Sequence, residues 1–117
     1  MDTNNEINRY LDLILSKLEP LNIFKVILFG SNAHGSSRDD SDIDLLIVLN
    51  DTRLPKTYGE RMSVRLEVSR TLRDIRKEVP MDLLVFTLPE YEIIKENMNS
   101  FYRDIHENGR VIYERAS

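Results

Sequence analysis

Hydrophobic positions along the chain fall into two rhythms that alternate. Ile7, Tyr10, Leu11, Ile14 and Leu18 recur three and four residues apart, the spacing of one helix face, and Pro20 is expected to close that helix. Residues 24–29 are a short, mostly apolar run ended by Gly30, which predicts a first strand. Residues 43–49 are apolar apart from Asp44, as expected of a strand covered on both faces. Between these strands a short helical turn over 31–35 and a polar loop over 36–41 are expected. That connection is too short for a crossover helix, so the two strands should be antiparallel.

A loop over 50–57, with Pro55, precedes a long predicted helix over 58–79, whose inner face is marked by Val64, Val68, Leu72, Ile75 and Val79. Pro80 ends it. Residues 82–87 predict a third strand, Pro89 suits the first turn of the next helix, and 100–108 read as another. Gly109 breaks that helix ahead of a last edge strand over 110–113. The pattern predicts an α/β (α+β) fold, a mixed β-sheet of about four strands flanked by helices.

Composition narrows the picture. At 117 residues the chain suits a single domain spanning 1–117. It has no apolar run near 18 residues, and its first residues do not resemble a signal peptide, so no membrane association is expected. Cysteine is absent, which excludes disulfides and thiolate metal sites and fits a cytoplasmic location. A net charge of −4 argues against direct binding of nucleic acid.

The candidate chemistry lies between Gly30 and Asp44, in GSNAHGSSRDDSDID. Asp42 and Asp44 are two residues apart, so in a strand both carboxylates point to one face. At about 4 Å and an effective dielectric of about 20 they repel by roughly 4 kcal/mol. A hard cation such as Mg²⁺ removes that penalty, taking a few carboxylate oxygens and leaving positions for substrate phosphate. Gly30 and Ser31 are candidates for holding that phosphate. Glycine allows close backbone approach, and the Ser31 hydroxyl adds a donor to the amides of the turn, although the same serine could simply cap it.

Gly30-Ser31, ten intervening residues, then Asp42-Ile43-Asp44 resembles the signature of the DNA polymerase beta-type nucleotidyltransferase superfamily. At this length the chain is most similar to its minimal nucleotidyltransferase (MNT) group, which often supplies antitoxins to HEPN-domain toxins. The resemblance implies the polymerase beta-like nucleotidyltransferase fold. It also implies two Mg²⁺ ions (Mn²⁺ possible), held by three acidic residues. It carries the third of these onto Asp82, which read by itself is a polar residue at the start of a strand. Asp42 and Asp44 would bridge both metals, and Asp82 would hold one of them and help deprotonate the acceptor. The family commonly has arginine at one or both positions held here by Asn32 and His34, so this loop carries less positive charge.

Other charged residues read as surface. Arg38, Asp39 and Asp40 suit a solvated loop, Arg61 and Arg65 an exposed helix face, and His106 has no second histidine at metal-ligand spacing. The expected activity is transfer of AMP from ATP (or another NTP) onto a hydroxyl. The chain lacks a second domain to grip an acceptor, so a partner protein should deliver one. By resemblance that partner is a HEPN-type toxin in a hetero-oligomer, modified on tyrosine. Two alternatives are an antitoxin that works by binding alone and a small-molecule nucleotidyltransferase paired with a separate helical subunit.

Overall fold

The structure, a computed structural model, describes residues 3–30 and 42–115. Strand β1 (Ile23–Phe29) pairs antiparallel with β2 (Ile43–Leu49), β2 pairs parallel with β3 (Met81–Phe86), and β4 (Arg110–Glu114) pairs antiparallel with β1. The order across this mixed sheet is β3-β2-β1-β4. Helices α1 (Thr3–Leu18), α2 (Tyr58–Thr71) and α3 (Arg73–Arg76) contribute to the core on one face. Helices α4 (Leu88–Glu96) and α5 (Ser100–Asn108) contribute to the other.

Residue alternation assigns each side chain to a layer. In β2, Ile43, Leu45, Ile47 and Leu49 pack with Leu11, Ile14 and Leu18 of α1 and with Val64 and Val68 of α2. Leu46 and Val48 point the other way and pack with Phe86, Tyr91 of α4 and Ile105 of α5. The α4–α5 face of β2 therefore reads Asp44, Leu46, Val48, with the carboxylate at one end of an apolar row.

Strand ends shift by a residue from the pattern-based expectation, and three further departures each have a local reason. The helix expected over 58–79 breaks at Leu72, whose backbone leaves helical geometry (φ −97°, ψ 10°) between α2 and α3. The Thr71 hydroxyl donates to the Glu67 carbonyl at 2.8 Å, a bond one turn back that bends helices. The apolar face continues through Leu72, Ile75 and Val79 regardless. Pro20 does not end α1 but lies in a 3₁₀ turn, Glu19–Leu21, closed by Asn22 in the left-handed region at φ 57°. Thr87 is not part of β3: its backbone N–H donates to Glu90 Oε1 at 3.1 Å, at the start of α4. The start of α2 carries a full capping box, with Glu60 N–H donating to Thr57 Oγ1 at 3.1 Å and Thr57 N–H to Glu60 Oε2 at 3.3 Å. The helical turn expected over 31–35 and the loop over 36–41 lie outside the described residues.

Gly109 joins α5 to β4 where no side chain fits. A Cβ there would overlap the Ile105 carbonyl oxygen and come within 2.8 Å of Ile27 Cγ2. Gly59, in the first turn of α2, has only Thr57 Oγ1 near, at 4.0 Å. Gly109→Ala is accordingly expected to destabilise the fold by about 2 kcal/mol. Gly59→Ala should be neutral or stabilising by up to about 1 kcal/mol. Urea unfolding midpoints at unchanged slope measure both, and equal effects would contradict the packing described.

Candidate active site

One row across the sheet holds the candidate chemistry. Asp44 is the register partner of Phe29 on β1 and of Asp82 on β3. Strands β2 and β3 run parallel, so both aspartates stand near the start of their strands and on the same face. Asp42 lies just before β2 and is exposed, Asp44 is half-buried and Asp82 is exposed. The expected antiparallel β1–β2 pair and the neighbouring strand carrying Asp82 are both present.

The carboxylates interact. The Asp44 carboxyl is pushed up from its ordinary value of 3.8 to about 6, first by burial, then by the negative charge of Asp82, by a hydrogen bond with Asp82, and by Asp42. In its neutral form Asp44 donates that hydrogen bond to an Asp82 oxygen. Among the described residues, no three acidic, histidine or cysteine side chains close around one point as a finished metal cage. The donor set is nonetheless all hard oxygen, with one member driven toward its neutral form by its neighbours. A divalent cation complements such a set.

Gly30 has a role at this site that its sequence context does not reveal. It ends β1 with φ +75°, and a Cβ on it would overlap Asp44 Oδ2. The backbone thus approaches the Asp44 carboxylate closely, in a conformation that glycine adopts without strain. Phe29 precedes it, and Phe101 of α5 meets Phe29 edge-on at 6.2 Å between ring centres. Phe101 is half-exposed, which places an aromatic rim beside the carboxylates.

The structure brings together Gly30, Asp42, Asp44 and Asp82 of the sequence-predicted set. Ser31, Asn32, His34, Arg38, Asp39 and Asp40 lie outside the described residues. Arg61 is not a free helix-face cation, because its Nη1 lies 3.0 Å from Glu90 Oε2. Arg65 is exposed on α2. His106 is structural: its ring stacks on Tyr91, and its Nε2 lies 2.7 Å from the Tyr91 hydroxyl. Phe29, Phe101 and Glu90 were not singled out by sequence. Only Glu90 left a trace there, as the last residue of a Thr-x-x-Glu capping pattern.

The sequence pattern described as "Polymerase beta, Nucleotidyltransferase" matches residues 11–117. A candidate protein adenylyltransferase of Methanocaldococcus jannaschii is 29% identical over 114 residues, covering 97% of this chain and 100% of that protein. Among solved structures, a candidate nucleotidyltransferase from Sulfolobus solfataricus superposes with a TM-score of 0.62 at 22% identity, over 97% of this chain and 85% of that one. A toxin–antitoxin complex with AMP-PNP matches with a TM-score of 0.55 at 18% identity, over 89% and 73% of the two chains. A mutant of the toxin–antitoxin pair MntA–HpeT, with two aspartates two positions apart changed to glutamate, matches with a TM-score of 0.53 at 15% identity, over 89% and 72%. With the family pattern running from Leu11 to the last residue, this chain belongs to the polymerase beta nucleotidyltransferase family and is a nucleotidyltransferase.

Proposed function

We propose that this protein is a Mg²⁺-dependent adenylyltransferase that moves AMP from ATP onto a tyrosine hydroxyl of a partner, a HEPN-type toxin, and so acts as its antitoxin. The observation that carries this reading is the pairing of Asp44 with Asp82 on adjoining parallel strands, with Asp42 acting on the same carboxyl. A relative named for protein adenylyl transfer and structural neighbours from toxin–antitoxin complexes, one with AMP-PNP, support it. Asp42 and Asp44 are the residues that would hold both of two Mg²⁺ ions, and Asp82 would hold one. Bound there, Mg²⁺ neutralises the carboxylates and the charge developing on the transferring phosphate.

The chain's own residues have separate tasks. Gly30 and Ser31 bind the triphosphate and orient it against the carboxylate row. Asp82, the most open of the two strand carboxylates, faces the acceptor and takes its proton. The phenol oxygen attacks the α-phosphorus, the bond from that phosphorus to the bridging oxygen breaks, and pyrophosphate leaves. A tyrosine, with a pKa of about 10, releases its proton more readily than an aliphatic hydroxyl. A docked partner supplies the in-line orientation that catalysis of this kind depends on. The added phosphate places negative charge and bulk on the partner, enough to block a site that must bind RNA phosphate.

Three predictions follow from the carboxylate row. Asp44 is held above its unfolded value, so below about pH 4 its carboxyl is protonated in both states and costs nothing. Between about pH 4 and pH 6 the folded state keeps a proton that the unfolded state loses, and the penalty is fully present above about pH 6. In EDTA, Asp44→Asn is therefore expected to be more stable than wild type at pH 7.5, by about 1–2 kcal/mol after allowance for partial exposure, and equal to it at pH 3.5. Mg²⁺ should raise the melting temperature of wild type only. A metal-free wild type more stable than Asp44→Asn at pH 7.5 would contradict the electrostatics.

Transfer is read by mass. Mixed with the product of the adjoining gene, ATP and Mg²⁺, the protein should increase the partner's mass by one adenylyl group or a small multiple. Asp42→Ala and Asp44→Ala should abolish the increase, whereas Ser31→Ala should weaken ATP binding by only about 1–2 kcal/mol. If an Asp42/Asp44 double variant neutralises the partner equally well with no mass change, the antitoxin acts by binding alone.

Gly30→Ala tests the close approach. It removes no acidic residue but forces the Asp44 carboxylate aside. Transfer is expected to fall at least 100-fold, as misplacement of about 1 Å does at such sites. Unimpaired transfer by this variant would remove the positioning role.

A further inference from the structure

Strand β3 carries Asp82 near one end, and at the other it leads into a polar feature that the transfer chemistry does not use. A cavity of about 250 Å³ opens between the start of α2 and the outer side of α4. Leu54, Phe86, Ile94 and Tyr102 are among its apolar walls, and Arg61 and Glu90 bring charge to it. Glu90 is only 6% exposed. Its Oε1 accepts the Thr87 N–H at 3.1 Å. Its Oε2 is enclosed and accepts no hydrogen bond from the described residues.

Arg61 only half-answers that oxygen. Its Nη1 comes within 3.0 Å of Oε2, an ion-pair distance, yet no N–H is aimed well enough to donate. The Arg61 side chain is also 58% exposed. Arg53 shows what a made pair looks like in this fold, since its Nε donates to Asp51 at 2.8 Å and its Nη2 to both Glu67 oxygens at 3.1 Å. Buried carboxylate oxygens ordinarily receive an aligned charged donor.

We infer that Glu90 is the receptor for a lysine or arginine side chain of a docking protein, which enters the cavity and displaces Arg61. The apolar walls suit the methylene stem of such a side chain while its charged head meets Oε2. Leu54 and Ile93, 45% and 49% exposed, form an apolar rim on which flanking residues of the partner rest. An enclosed polar anchor ringed by apolar contacts is the usual form of an interface hot spot. The net charge of −4 favours a basic partner.

A nucleobase fits less well. A base would draw on Arg61 as a stacking cation rather than displace it. The inference rests on the proposed function for the existence of a partner and adds where that partner grips. Phe86 lies four residues from Asp82 on the same face of β3, roughly 13 Å away, so a protein anchored here also covers the carboxylate row.

The test uses a blocked peptide, acetyl-Leu-Arg-Leu-amide, titrated into the full-length, isotope-labelled protein while the methyl signals of Ile93 and Ile94 are followed by NMR. The arginine peptide should shift those methyls, and its citrulline counterpart, which keeps the shape but not the charge, should bind at least 10-fold more weakly. Glu90→Gln retains an oxygen for the Thr87 N–H but loses the charge, and should also weaken binding at least 10-fold. Arg61→Ala removes the competing cation from an exposed position and should strengthen binding several-fold. No methyl shift at saturating peptide, or equal binding of the arginine and citrulline peptides, overturns the inference. So does a shift of the same methyls by AMP that Arg61→Ala weakens, which would make the cavity a base pocket. Asp44→Asn should bind the peptide as wild type does, so failure of the docking site and failure of the transfer reading are separable.

Discussion

The structure depends on one register, the parallel pairing that sets Asp44 opposite Asp82. A slip of β3 by one residue would turn Asp82 to the other face and place an apolar neighbour, Met81 or Leu83, where its carboxylate stands. The register is fixed from behind. Ile43, Leu45, Met81 and Leu83 are buried in the core that α1, α2 and α3 complete on the opposite face. Parallel strands also require a crossover, and the segment from α2 through α3 supplies it. The hydrophobic layer on one side of the sheet is thus what forces like charges together on the other.

Much of this was legible in the chain because it rests on local patterns. Apolar runs located the strands, the short link between the first two fixed their antiparallel sense, and the Gly-Ser and Asp-x-Asp spacing marked a candidate site. What failed was set by single side chains or by tertiary contact. The apolar period runs unbroken through Leu72, so periodicity could not show that the Thr71 hydroxyl bends the helix there. Asn22 adopts a left-handed turn that the neighbouring Pro20 masked. Thr87 extends an apolar strand by pattern but serves α4 by hydrogen bond.

The site shows the same division. Residue types and spacing singled out Asp42 and Asp44 as candidates, but nothing in one sequence states which residue faces Asp44 across a register. Asp82 came from family resemblance, and its place opposite Asp44 is a tertiary fact. Gly30 was read as making room for phosphate; that its backbone also lies against the Asp44 carboxylate is a tertiary contact no sequence pattern shows. Phe29 and Phe101 meet from distant parts of the chain, so their aromatic rim had no sequence signal. Glu90 carried a signal for its first oxygen only. The capping pattern explains Oε1 and is silent about Oε2.

Two unresolved demands therefore lie along one strand. At the start of β3, Asp82 and the facing Asp44 of β2 crowd negative charge, and beyond its end Glu90 keeps an enclosed oxygen without an aligned donor among the described residues. Each feature costs stability in the isolated chain, since burial penalises charge and unsatisfied polar atoms. Each would also be relieved by positive charge from outside: on the proposed reading, a divalent cation with its nucleotide in the first case and a basic side chain in the second. Ligands that bind only the folded state return that stability through mass action. The same β3–α4 segment would then couple a filled nucleotide site and a docked partner to the folded state. The two bound groups would meet on one face of the sheet, where an acceptor hydroxyl has the shortest path to the α-phosphate.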